Sequence, residues 1–150
     1  MISGPTLSLF TEIIDEANKL VNTYVHPGDL TGQVNYIGIF SQSMSEYTAL
    51  VKILKKCGIV FEKQPTGNYF KLTKPIRTAT GEITVARVRR PDPEITEKGY
   101  LDFETADYTA FKNKYLSHSN FRVINNILGK ELIALRDPDF NVRVYFPEKF

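Results

Sequence analysis

The chain repeats itself. Tyr47-Thr48-Ala49 opens a helix-like stretch after a strand-like run, and Tyr108-Thr109-Ala110 does the same further on. The strand-like run before the first is residues 34–40, and the one before the second is residues 100–105. Three more strand-like runs follow each helix, so both halves read βαβββ. An internal repeat constrains architecture before any chemistry is considered, because one unit must bury its apolar face against its copy. It also places a site, if there is one, between the two copies.

The rest of the chain fits such a pair. Its 150 residues are 42% hydrophobic, with ten Phe and eight Tyr, which is enough for the core of one compact domain. Net charge is only +2, which excludes a globally basic nucleic-acid binder. The distribution is uneven: residues 51–90 hold ten Lys or Arg against Glu62 and Glu82, while the flanking segments are acidic. This region is either a solvated surface or a patch for an anionic partner. The one cysteine, Cys57, forbids an intrachain disulfide and suits a reducing compartment. It ends a predicted helix with no positioned His nearby and reads as packing. No signal-peptide pattern opens the chain, and no run approaches the roughly 20 apolar residues of a membrane span. A cytoplasmic protein without membrane attachment is expected.

Residues 6–24 form an amphipathic helix outside the repeat. Phe10, Ile13, Ile14, Ala17, Leu20, Val21 and Tyr24 share one face at spacings of three and four. This helix is expected to cover a sheet surface or edge. Three segments follow from this reading: helix and linker at 1–33, a first module at 34–91, and a linker with the second module at 92–150. In the first module, the two-residue strand period puts Ile37 and Ile39 on one face and Tyr36, Gly38 and Phe40 on the other. Ser43 and Glu46 have capping-box spacing, and Gly58 is placed to stop the helix in the left-handed region. Strands are predicted at 59–63, 68–73 and 82–89, with a turn at Thr66-Gly67-Asn68 and a loop at 78–81. Pro91 and Pro93 stiffen the linker. In the second module Leu101 and Phe103 oppose Tyr100, Asp102 and Glu104. Asp107 caps the helix at 108–116. Strands follow at 121–125, 131–136 and 142–146, separated by Leu128-Gly129 and by residues 137–141.

Residues 34–147 resemble the vicinal oxygen chelate superfamily, which includes glyoxalase I, bleomycin-resistance proteins and extradiol dioxygenases. Leu135-Arg136-Asp137-Pro138-Asp139-Phe140-Asn141 is similar to the turn before that family's last strand. Tyr100 to Glu104, through Asp107 and Phe111, has its strand-to-helix spacing. The resemblance implies an α+β fold in which two βαβββ modules form a curved mixed sheet around a cleft. It also implies a metal held by His, Gln or Glu on the first and last strand of each module. Here those positions hold Tyr36, Tyr100 or Asp102, Arg87, and either Arg143 or Val144, depending on a one-residue register choice that would exchange faces. Guanidinium is not a normal metal ligand. His26 and His118 fall outside the cleft strands.

Strand alternation lines the cleft with Tyr36, Phe40, Arg87, Arg89, Tyr100, Asp102, Glu104, Arg143 and Tyr145. Aromatic rings with a few charges suit a small anionic or aromatic molecule, with Arg87 or Arg143 gripping a carboxylate or phosphate. The arginines can instead pair with Asp102 and Glu104 and leave the cleft empty of function. A catalytic reading uses Asp102 or Glu104 as general base, with Arg nearby to stabilise an anion; mutual repulsion of two acids on one strand face would raise one carboxyl pKa, and an adjacent Arg would lower it. The leading expectation is a small-molecule binder with no cofactor. A divalent-metal lyase, isomerase or dioxygenase is the alternative. An interaction module using residues 51–90 is a third reading, although nucleic acid is not the expected partner. A monomer and a homodimer both remain open.

Overall fold

The computed structural model describes residues 2–79, 81–125 and 129–150. Helix α1 (Gly4–Tyr24) leads through a short 3-10 turn to strand β1 (Leu30–Phe40). Helix α2 (Met44–Cys57) and strands β2 (Gly58–Glu62), β3 (Tyr69–Thr78) and β4 (Gly81–Arg89) complete the first module. The second consists of β5 (Gly99–Thr105), α3 (Tyr108–Tyr115), β6 (Phe121–Asn125), β7 (Glu131–Leu135) and β8 (Val142–Pro147). The expected βαβββ order is present twice. Residues Thr80 and Leu128, in two of the expected turns, lie outside the described residues.

The eight strands form one curved open sheet in the order β2-β3-β4-β1-β5-β8-β7-β6. Within each module the first and last strands are parallel, β1 with β4 and β5 with β8; the modules join through antiparallel β1 and β5. All three helices cover one face. There Ile37, Ile39, Leu101, Phe103, Val144 and Phe146 pack against Phe10, Ile13 and Leu20 of α1, Leu54 of α2 and Phe111 of α3. Helix α1 lies over β5 and β8, which gives its apolar stripe the sheet surface it requires. Cys57 is buried. No described helix is long and apolar enough to cross a membrane.

Local chemistry accounts for most boundaries. The Ser43 hydroxyl accepts from Glu46 N at 3.1 Å, and the Glu46 carboxylate accepts from Gln42 N at 3.1 Å. Asp107 accepts from Ala110 N at 3.0 Å. Gly58 departs from expectation. Its φ of −166° is extended, and glycine is required because an added Cβ would stand 2.5 Å from the Lys71 carbonyl oxygen on β3. Strand β3 runs to Thr78, past Pro75. Its last partner on β2 is Leu72, and its register with β4 shifts between Lys71 and Ile76. Pro75 therefore interrupts no three-stranded ladder. Strand β1 starts four residues before Val34, also across a register shift.

Helix starts also correct the opening signal of the repeat. Ser43 and Asp107 are equivalent caps, yet Tyr47 lies in the second turn of α2 while Tyr108 is the first residue of α3. The two Tyr-Thr-Ala tripeptides occupy different helix positions.

Candidate functional site

The sheet face away from the helices carries the nine side chains expected there. Register builds it in rows. Tyr69, Arg87, Gly38, Tyr100 and Arg143 are consecutive neighbours across β3, β4, β1, β5 and β8. Asp102 neighbours Tyr145, and Phe40 neighbours Arg89. The final-strand choice is settled. Arg143 pairs with Tyr100, and Val144 is fully buried on the helix side.

The middle of this face is filled. Tyr100 lies over Gly38, where an added Cβ would come within 1.8 Å of its Cε1. Its ring centroid is 4.9 Å from that of Tyr145 and 5.5 Å from that of Phe40. With Ala134 these three rings form a second, smaller apolar cluster separate from the main core. Ligand access is left to the flanks. On the first-module side, half-buried Tyr36 and Tyr69 meet edge-on at 5.8 Å, and exposed Phe61 lies 6.1 Å beyond Tyr69.

The arginines are not paired with Asp102 or Glu104. Arg87 donates from Nε to the Gly67 carbonyl at 3.0 Å and from a terminal nitrogen to Thr66 Oγ1 at 2.5 Å, with its guanidinium carbon 4.6 Å from the Tyr69 ring centroid. Arg89 lies over Phe40. Arg143 makes a two-pronged contact with Glu97, from Nε to Oε2 at 2.9 Å and from a terminal nitrogen to Oε1 at 3.2 Å. Arg136 Nε donates to the same Oε2 at 2.9 Å. Burial pushes the Glu97 carboxyl up, but its hydrogen bond to Arg143 and the charges of Arg143 and Arg136 outweigh this and hold it below the ordinary range.

Asp102 has the opposite fate. The residue is half-buried, and its Oδ1 is buried with no hydrogen-bond partner. Burial alone pushes its pKa up to about 8, because no guanidinium comes close enough to offset the desolvation. The shift favours its neutral form near pH 7. The Tyr36, Tyr69 and Tyr100 hydroxyls are each displaced upward, chiefly by burial and also by the nearness of Asp102. Glu104 is half-buried further along β5. Arg89 Nε is, like Asp102 Oδ1, buried without a partner. Such atoms are uncommon in native proteins and mark positions where a ligand or water supplies the missing bond.

A cavity of about 650 Å³ lies elsewhere. It is lined by Glu97, Arg122, Ala134, Arg136 and the residues 137–141 turn, and by none of the nine expected side chains. Its polar groups are mostly satisfied internally: Asp137 accepts from Tyr24, Glu16 from Asn141 N, and Glu97 from two arginines.

The donor set does not fit a divalent metal. Of the aligned ligand positions Tyr36, Arg87, Tyr100 or Asp102, and Arg143, only Asp102 is a carboxylate, and among the described residues no three His, Cys, Asp or Glu converge. His26 Nδ1 accepts from Gly28 N, and His118 packs on Tyr24 and Phe121 at the helix side.

Sequence reasoning missed Glu97, Arg136 and Tyr69. Tyr69 was reachable by extending the Arg87 row one strand outward. Glu97 precedes β5, where strand alternation does not apply.

No family model matches the sequence, and no curated protein matches it. Among solved structures, the structural-genomics protein EC4020 matches with a TM-score of 0.66 at 14% identity, over 98% of this chain and 92% of that one. A methylmalonyl-CoA epimerase from Mycobacterium tuberculosis matches at 0.47 and 10% identity, over 82% of this chain and 91% of that one. A glyoxalase/bleomycin resistance protein/dioxygenase superfamily member from Vibrio splendidus 12B01 matches at 0.46 and 10%, over 76% and 97%. At 14% identity the likeness to EC4020 is one of fold.

Proposed function

We propose that this chain, whose fold is that of the vicinal oxygen chelate superfamily, binds a small aromatic or anionic molecule on the concave face of its sheet without a divalent metal. The observation that carries this reading is the buried Asp102 Oδ1, left without a partner on a face lined by Tyr36, Tyr69, Tyr100 and Tyr145. A buried polar atom without a hydrogen bond costs about 1–3 kcal/mol, and a bound molecule that supplies the bond recovers part of that. The aromatic neighbours provide the apolar wall, and Arg87 contributes positive potential from its anchored position. The donor set supports a metal-free mode, because tyrosine hydroxyls and one neutral acid outnumber metal-binding groups.

Benzoate and phenol, titrated separately into isotopically labelled protein and followed by NMR, test the reading. Shift changes should cluster on β1, β4 and β5 around Tyr36, Arg87 and Asp102. Changes confined to the cavity around Arg122 and Arg136, or none with either compound, would overturn it.

A further inference from the structure

We infer that the outer edge of β2 is a strand-addition site for an extended acidic peptide, a role separate from small-molecule binding in the cleft.

The two ends of the sheet differ. Strand β6 closes one end; it exposes Arg122 and Asn125, keeps Phe121 buried, and leaves Val123 and Ile124 half-buried. Strand β2 closes the other, and there Ile59 is 72% exposed and Phe61 49% exposed. Both lie on the concave side. Ile59 is opposite Lys71 on β3, two residues from Tyr69, and the Phe61 ring centroid is 6.1 Å from that of Tyr69. Neighbouring large apolar side chains on an exposed edge are what edge-protecting sequences avoid. The backbone points the same way. Strand β2 pairs only with β3, and among the described residues the backbone of residues 58–62 makes no hydrogen bond outside that pair. Its outward N–H and C=O groups are a template for one more strand.

Charge selects the strand. Lys55 and Lys56 close α2 just before β2, Lys63 follows β2, and Lys71 stands opposite Ile59. These lysines are exposed, and among the described residues none of them forms a salt bridge. The acid on β2, Glu62, is half-buried and accepts from Gln64 Nε2 at 3.2 Å. The edge is therefore apolar on its concave side and positive at both ends. Lysines guard an edge against its own kind. Two copies meeting about a two-fold axis pair their edges antiparallel. Centred on Val60, that pairing sets Lys63 of one copy against Cys57 of the other, beside Lys56, and like charges so placed destabilise it. An acidic strand turns the same lysines into attraction. Its apolar side chains would lie beside Ile59 and Phe61. Its carboxylates, alternating with them, would fall on the side where α2 packs.

The probe is a capped peptide of alternating Glu and Val, about seven residues long so that it spans β2. Its controls are the Lys and Val counterpart and the same acidic peptide with its central Val replaced by Pro. Each is titrated into the isotopically labelled full chain and followed by NMR. The acidic peptide should shift residues 55–63, slow amide exchange within residues 58–62, and bind at least about tenfold more tightly than either control. Ile59→Ser and Phe61→Ser, both at exposed positions that leave the core intact, should each weaken it about three- to tenfold. Lys56→Glu combined with Lys63→Glu should reverse the preference toward the Lys and Val peptide. Equal binding of the Pro peptide would reduce the effect to charge attraction and overturn strand addition. Equal binding of the Lys and Val peptide, or no binding of the acidic one, would also sink the inference. So would a dimer of the unliganded chain in sedimentation that Ile59→Lys dissolves, because a second copy would then hold the edge. A single-stranded oligonucleotide that displaces the peptide from these residues would reassign the surface to nucleic acid. None of these outcomes bears on benzoate or phenol binding at β1, β4 and β5.

Discussion

Glu97 and Asp102 are five residues apart and both lie among the arginines of the concave side, but they are in opposite charge states. Glu97 is an anion clamped by Arg143 and Arg136, and its carboxyl is held below the ordinary range. Asp102 is half-buried, its buried Oδ1 is unpartnered, and its pKa is pushed up to about 8. Burial disfavours the charged form of both. The difference is whether a guanidinium can reach the carboxylate. Arg143 points to Glu97, and Arg87 is turned to the Gly67 carbonyl and Thr66. A concave face with several arginines can therefore still hold a carboxyl whose pKa is raised, provided Arg87 and Arg143 are engaged elsewhere.

The most damaging way to break this contrast is to remove the clamped acid. Glu97→Ala leaves Arg143, whose side chain is only 14% exposed, without its counter-charge. Breaking a buried pair from one side costs about 3–5 kcal/mol, and the lower end applies because the Arg136 side chain is 53% exposed. Urea unfolding should show a loss of about 3 kcal/mol; an unchanged midpoint would mean the clamp is dispensable. The pH sign is fixed by the lowered carboxyl. Its contribution is fully present above the ordinary glutamate pKa and is lost as pH falls through the folded value.

The neutral acid gives the opposite slope. Asp102 binds a proton in the folded state that the unfolded chain releases at lower pH. Its contribution to stability therefore declines between about pH 4 and pH 8, by up to about 1.4 kcal/mol per unit. Asp102→Asn removes that decline and should be more stable than wild type at pH 7, by an amount on the order of 2 kcal/mol. The check is the difference between the two unfolding free energies measured from pH 5 to pH 8. A difference that does not change with pH would show that Asp102 is already ionised, and the two acids would no longer contrast.

The contrast also separates what the residues announce from what they conceal. A period of two was enough to sort Ile37 from Tyr36, Leu101 from Tyr100 and, once register was known, Val144 from Arg143, because one face of each strand is buried under helices and a slip would expose it. The repeat was legible as an order of elements but not through its most visible echo. Superposing the two Tyr-Thr-Ala tripeptides offsets the modules by three residues, an odd number, which would exchange strand faces. Superposing the caps Ser43 and Asp107 matches Tyr36 with Tyr100 and Gly38 with Asp102, and keeps them. The fates of the two acids were beyond local reading. Glu97 lies in a linker and meets Arg136, just past β7, and Arg143 on β8, 39 and 46 residues on. Whether Asp102 would be lowered by an arginine or raised by burial depended on where Arg87 is tied, and that is set by the loop before β3.

The smallest expected effect concerns Arg89, the arginine with neither a clamp nor a carboxylate. Its Nε is buried without a partner, and its guanidinium lies over Phe40. Arg89→Met keeps the length and apolar contact of the side chain while removing the unsatisfied donor. The stacking lost is worth about 0.5–1 kcal/mol, and the desolvation penalty relieved is at least as large. Stability should therefore be unchanged or rise by up to about 1 kcal/mol, read as the midpoint of thermal unfolding. The same substitution at Arg143 should destabilise, because there the arginine balances a buried anion. If Arg89→Met destabilised as much as Arg143→Met, Arg89 would also have a counter-charge, and arginine engagement would no longer distinguish the Asp102 side of the cleft from the Glu97 side.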